Sequence, residues 1–179
     1  NGTELIQIVT TLAAYNVGLD KPAAAPTVSI VTGGSGTLAT GVLVSYAYRN
    51  SVTGHVGLSS AQSTRSAATS GSLNTLRTAV VASAVTGVDG IVLFISEDGG
   101  SIPYLYTDTA GDPIVHANST ANIDISVALL VNKNNRVEET QFNEAPPAGS
   151  THLSKWKSRV MLTGFSTAAA KGRVVYSGH

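Results

Sequence analysis

No cysteine occurs in the 179 residues, which excludes disulfides and thiolate metal sites and leaves the redox compartment undecided, because a chain without thiols folds in either. Charge is scarce: charged residues make up 12% of the chain, about half the usual ~25%, so Ser, Thr, Asn and Gly must cover the surface. The 11 basic and 11 acidic residues cancel and no Lys or Arg cluster occurs, so there is no electrostatic footprint for nucleic acid or anionic lipid. Long apolar runs are missing too. Ile91 to Ile95 falls far short of the ~20 residues that span a bilayer. Asn1 opens the chain without an initiator Met or a charged leader, so the start reads as an internal or processed boundary. The end, Arg173 to His179, reads as a strand running into a turn and cut there.

The length suits one ordinary domain, or one small domain plus pieces of a second. Residues Glu4 to Thr10 are β-prone, with Leu5, Ile6, Ile8 and Val9 too close for simple alternation. Asp20 to Pro26 carries two prolines and no apolar pattern, so it reads as a short extended linker. From Thr27 onward short strands are punctuated by glycine, as an antiparallel β-sandwich requires. Val42, Val44, Tyr46 and Tyr48 share one face of a half-buried strand, with Ser45 and Arg49 on the other. His55 to Thr64 reads as a weaker polar strand and Ser66 to Ser72 as a loop. Leu73, Leu76, Val80, Val81 and Ala84 would share one helical face, yet Leu76, Thr78, Val80, Ala82 and Ala84 also alternate, and β-branched residues in β surroundings make strand the expectation for the second half of that segment.

Val88 to Ser96 is apolar on both faces and suits a central position. Glu97 to Gly100 supplies a turn, and Ile102 to Thr107 returns as the second arm of a hairpin. Asp108 to Asn118 reads as a loop, and Ile123, Ile125, Val127 and Leu129 alternate as one more strand. Glu138 to Gly149 is acidic and proline-bearing, a second linker. Val160 to Leu162 and Arg173 to Tyr176 are two further strands around the small-residue loop Thr167 to Ala170. No repeat period is visible. The expected organisation is a flanking strand segment at 1–19, a linker at 20–26, a β-sandwich at 27–131, a linker at 132–150 and outer strands at 151–179.

Leu38-Ala39-Thr40-Gly41-Val42 leading into Val44 to Tyr48, then Gly54 with Ser59 and Ser60, then Ile91 to Ser96 and the Asp98-Gly99-Gly100 turn ahead of Tyr104, resemble the fibronectin type III-like module of many bacteriophage tail proteins. In that family the later strand usually ends in a Tyr-Arg pair; here Ile95-Ser96 stands in its place. The flanks, Val17 through Pro26 and Ala145 to Ser150 followed by Trp156, Arg159 and Val174 to Ser177, resemble the joins where such a sandwich interrupts a propeller-like domain in tail hub or nozzle proteins. The resemblance implies an all-β, immunoglobulin/fibronectin type III-like antiparallel sandwich, with flanking strands from an incomplete second, propeller-like domain. It also implies a structural virion protein of the tail whose partners are copies of itself and neighbouring virion proteins. If the sandwich is an insertion, residues 1–19 and 151–179 belong to one surrounding domain and should lie near each other.

Chemistry-bearing residues are few. His55, His116, His152 and His179 lack helical or short metal-ligand spacing and read as solvated or hydrogen-bonded imidazoles. Gly33-Gly34-Ser35-Gly36 has no following helix for a nucleophile elbow and no Lys-Ser or Lys-Thr for a phosphate loop, so it reads as a turn. Asp108 with Asp112, and Glu97 with Asp98, offer oxygens to calcium, but Asp bonding its own backbone in a turn accounts for them better. Trp156 among Lys155, Lys157 and Arg159 is the one basic aromatic patch, read as an anchor between sheet neighbours. Asn1-Gly2-Thr3 and Asn118-Ser119-Thr120 match the glycosylation pattern, which arises often by chance here. No catalytic, metal or cofactor residue is therefore assigned, no cofactor, small-molecule substrate, sequence-specific nucleic acid or membrane partner is expected, and the chain is read as a non-enzyme. The alternatives are an extracellular or cell-surface sandwich module binding carbohydrate or protein through exposed Tyr or Trp and, third, a polysaccharide hydrolase, whose carboxylate pair cannot be singled out.

Overall fold

The computed structural model describes residues 19–130 in full, together with the backbone of five strands in the flanks. Those flanking strands are β1 (Gln7–Thr10) and β2 (Ala13–Asn16) before the body, and a later trio described below. The body contains β3 (Thr27–Val31), β4 (Gly33–Gly34), β5 (Val44–Arg49), β6 (Leu73–Val80), β7 (Gly90–Ser96), β8 (Pro103–Leu105), β9 (Val115–Ala117) and β10 (Ala121–Ser126). A single 3-10 turn, Val127–Leu129, is the only helical element among the described residues. The trio is β11 (His152–Trp156), β12 (Arg159–Thr163) and β13 (Val175–Tyr176). β1 pairs antiparallel with β2, and β12 pairs antiparallel with both β11 and β13. The chain is all-β.

The body has two sheets. In the first, β6 lies between β3 and β10, with β4 paired in parallel to the start of β6. In the second, β7 lies between β5 on one side and β8 and β9 on the other. One apolar cluster takes residues from both sheets: Val44, Tyr46 and Tyr48 of β5, Ile91, Leu93 and Ile95 of β7, Leu76 and Val80 of β6, and Ile123 and Ile125 of β10. Strand alternation selects these positions, since successive side chains point to opposite faces. Tyr46 and Tyr48 meet edge to face, ring centroids 5.9 Å apart. The opposite face of the second sheet holds a smaller cluster of Ala47, Val56, Val92, Phe94 and Leu105. β7 is thus buried on both faces, as its unbroken apolar run predicts. β5 is as well: Ser45 and Ala47 are wholly buried, so the expected solvent face is covered.

The polar stretch expected as a strand from His55 to Thr64 and a loop beyond it takes a different form. Past the Arg49↔Val56 bridge, residues 57–69 run beside β5 and the chain leading into it, touching it at every third residue. The N–H groups of Gly57, Ser60, Ser63, Ser66 and Thr69 donate to the carbonyls of Tyr48, Tyr46, Val44, Val42 and Leu38 at 2.8–3.1 Å. Over Val42 to Tyr46, three residues of this strap span two of the strand, so its carbonyls fall out of register with the strand's N–H groups. Hydroxyls replace them. Tyr46 N–H donates to Ser60 Oγ, Val44 N–H to Ser63 Oγ, Val42 N–H to Ser66 Oγ and Leu38 N–H to Thr69 Oγ1. These four buried N–H groups are thereby paired, which buried backbone requires. Ser63→Ala orphans the Val44 N–H and is expected to lower stability by about 1–3 kcal/mol. Thr64→Ala, at an exposed strap position, should stay within ~0.5 kcal/mol; urea denaturation compares the two.

Other boundaries moved for local reasons. The strand expected through Leu129 ends at Ser126, where the Ala128 N–H turns to the Ser35 carbonyl at 2.7 Å. β9 lies inside the segment expected as a loop, because β8 and β9 are two pieces of one edge along β7, interrupted by an excursion at 107–113. Alternation in β6 stops at Val80; Ala82 and Ala84 fall in the connection to β7. The expected linker at 132–150 and loop at Thr167 to Ala170 lie outside the described residues.

Candidate functional site

The body has two poles, each tied by polar contacts. At one, the β7–β8 turn clasps the chain entering β5. Both Asp98 carboxylate oxygens accept from backbone: Oδ2 from Ala39 N–H at 2.6 Å, and Oδ1 from Thr40 and Gly41 N–H at 2.9 and 2.8 Å. Gly99 N–H donates to the Gly41 carbonyl at 2.9 Å. The Arg65 guanidinium, carried by the strap, donates to the Gly41 and Gly100 carbonyls, each at 2.8 Å. Partial burial works to raise the Asp98 carboxyl, but the three N–H donors and the Arg65 charge outweigh it and hold the group below its usual range. Such a carboxylate stays ionised and is fully engaged by backbone, so it positions a loop and has no proton to give at neutral pH.

At the other pole, Asp89 accepts from the N–H and hydroxyl of Ser51, and Asn118 braces the 81–88 connection. Asn118 Oδ1 accepts from Ser83 N–H at 2.8 Å while its amide nitrogen donates to the Ser83 and Val88 carbonyls at 3.0 and 3.1 Å. A glycan on that nitrogen would displace one of these bonds, so the glycosylation pattern here is part of a brace. Tyr48 hydroxyl donates to the Val81 carbonyl at 3.1 Å; burial, then the neighbouring Tyr46, push its pKa up to about 12.

The remaining candidates separate in space. Asp108 closes its own turn, its Oδ1 accepting from the N–H groups of Ala110 and Asp112. No group of three or more His, Asp or Glu suited to a metal exists among the described residues. Gly33, Gly34 and Gly36 all have positive φ and form the turn beside β6 that the sequence suggests. Trp156 ends β11 directly opposite Arg159 at the start of β12. The Trp156 and His152 side chains, His179 and Asn1 to Thr3 lie outside the described residues. On the outward face of the first sheet, Arg77 and Asp124 pair in a bidentate contact at 2.7 and 2.6 Å; the hydrogen bond and then the charge of Arg77 hold the Asp124 carboxyl below its usual range.

His55 and His116 differ from the solvated imidazoles expected: both are largely buried, their Nε2 atoms reach no partner, and burial lowers both below the ordinary 6.5. The unfolded chain therefore takes up protons below pH 6.5 that the folded chain resists. Their contribution is whole above that pH and declines as the pH falls further. Asp98 and Asp124, held below their ordinary 3.8, stabilise above that value and stop doing so as acid protonates them. Stability should fall first below about pH 6.5 and more steeply below about pH 4. Urea midpoints against pH measure this, and His55→Gln with His116→Gln should flatten the upper limb only.

Comparison with known proteins returned no matching family model, no matching curated protein and no matching solved structure.

Proposed function

We propose that the chain is a structural component of a bacteriophage virion, a tail protein of hub or nozzle type, in which residues 27–131 form a fibronectin type III-like sandwich and the flanking strands belong to a propeller-like outer domain that makes subunit contacts. The observation that carries this reading is the convergence of the segments on which the resemblance rests. Val44–Arg49 and Gly90–Ser96 are sheet neighbours, register Val44↔Ile95 through Arg49↔Gly90, and Asp98 of the turn that follows β7 grips Ala39, Thr40 and Gly41. Strands that alternate between two sheets on one core, β3 to β5 to β6 to β7, favour a sandwich over other all-β designs. The neutral, low-charge surface suits close packing of identical subunits, where a large net charge would repel.

The test is the assembly state of the full chain by sedimentation and electron microscopy. A closed ring of symmetric copies is expected. A monomer at every concentration up to that of a concentrated stock overturns the reading, and specific retention of one glycan by that monomer replaces it with the carbohydrate-binding alternative.

A further inference from the structure

The geometry points to a mechanical role that deepens the structural reading and rests on it: residues 19–130 are a load-bearing spacer whose first and last strands resist tension in shear. β3 and β10 flank the same stretch of β6. Thr27 through Val31 pair with Ala79 through Thr75, five positions, and Ala121 through Ser126 pair with Val80 through Thr75, six positions. Both run antiparallel to β6 and so parallel to each other. The chain enters β3 at the Val80 end of β6 and leaves β10 at the Thr75 end, at opposite poles of the body. Thr27 lies opposite Ala79 and Ser126 opposite Thr75, so at ~3.3 Å per residue the two points are roughly 13 Å apart along the strands.

Tension between entry and exit drags β3 and β10 in opposite directions along β6. Each ladder is then loaded along its length, and its hydrogen bonds share the force and must fail together. Peeling would break them one at a time. Beyond the ladders each end is pinned again. Leu19, 1% exposed, joins the core at the entry pole and sits against Gly57, where an added Cβ would come within 3.0 Å of the Leu19 Cβ. Val127, 1% exposed, is buried just past β10, and Ala128 is tied to Ser35.

The chain has no native thiol, so handles attach only where cysteines are introduced. In the full chain, Lys21→Cys with Leu129→Cys loads the shear axis, and Lys21→Cys with Val81→Cys, at the two ends that meet at one pole, peels β3 from β6. All three positions are exposed, and each variant must reproduce the parent circular dichroism; Lys21→Cys with Ala128→Cys is a second shear pair. At one pulling speed the shear axis should rupture at a force at least about twofold above the peeling axis, since parallel bonds share load and serial ones do not. Equal forces, or a weaker shear axis, overturn the spacer. The readout is independent of assembly: a ring-forming chain with no difference between axes loses the spacer alone, and a monomer that keeps the difference loses only the virion reading.

Discussion

Gly41→Ala is expected to remove upwards of about 3 kcal/mol of stability, enough to unfold a marginal domain at moderate temperature. Two costs combine. Gly41 has φ +100°, a region that L residues with a Cβ rarely adopt. An added Cβ would also overlap the Ser66 carbonyl and approach Ser66 Oγ at 2.9 Å. Ser66 cannot retreat, because its N–H donates to the Val42 carbonyl and its Oγ accepts from Val42 N–H. The Gly41 N–H and carbonyl are meanwhile held by Asp98, Gly99 and Arg65. Gly54→Ala and Gly71→Ala form the comparison, with φ +70° and +58° and open space around the new methyl. Each should cost only about 1–2 kcal/mol, the left-handed penalty alone. Urea midpoints rank the three, and a Gly41→Ala cost no larger than the other two would show that the strap yields at this point.

The strands were legible where apolar residues alternate or run unbroken. Val44 to Tyr48 and Ile91 to Ile95 declare themselves because burial imposes a period of two on one face or fills both. The turn at Asp98-Gly99-Gly100 was legible for the same kind of reason, since it needs positive φ at Gly99. The strap was hidden. Ser60, Ser63, Ser66 and Thr69 recur every third residue, a spacing that matches neither the β-strand nor the α-helix period, and their hydroxyls act as substitutes for backbone carbonyls. That three-residue recurrence is the signal by which such a segment can be found. The β8–β9 edge was half hidden for another reason. The excursion at 107–113 closes on itself through Asp108, so the strand resumes at Val115 with only three residues to announce it. At the sites, the grip of Asp98 on residues nearly sixty positions earlier and the brace made by Asn118 are tertiary facts; composition marks both only as turn-forming residues. The histidines carried no sequence sign of burial, because burial is set by tertiary neighbours.

Phe94→Ala should cost about 3–5 kcal/mol, comparable to the ~2–5 kcal/mol expected for Leu93→Ala beside it. Adjacent residues of one strand point to opposite faces, so in a sheet with one wet face only one of the two could matter so much. Here both are 0% exposed. Leu93 belongs to the core between the sheets, and Phe94 to the cluster with Ala47, Val56, Val92 and Leu105 on the other side. Removing the ring leaves a cavity among Ala47, Val56, Val92 and Leu105, and the loss includes both transfer and cavity terms. Val115→Ala, 40% exposed, controls for simple loss of apolar surface and should change stability by less than about 1 kcal/mol. The measurement is urea unfolding with slopes compared as well as midpoints, since a changed slope would signal an altered unfolded state. A Phe94→Ala cost as small as that of Val115→Ala would mean that the outer face of the second sheet is open to water, and the two-faced burial of β7 would have to be abandoned.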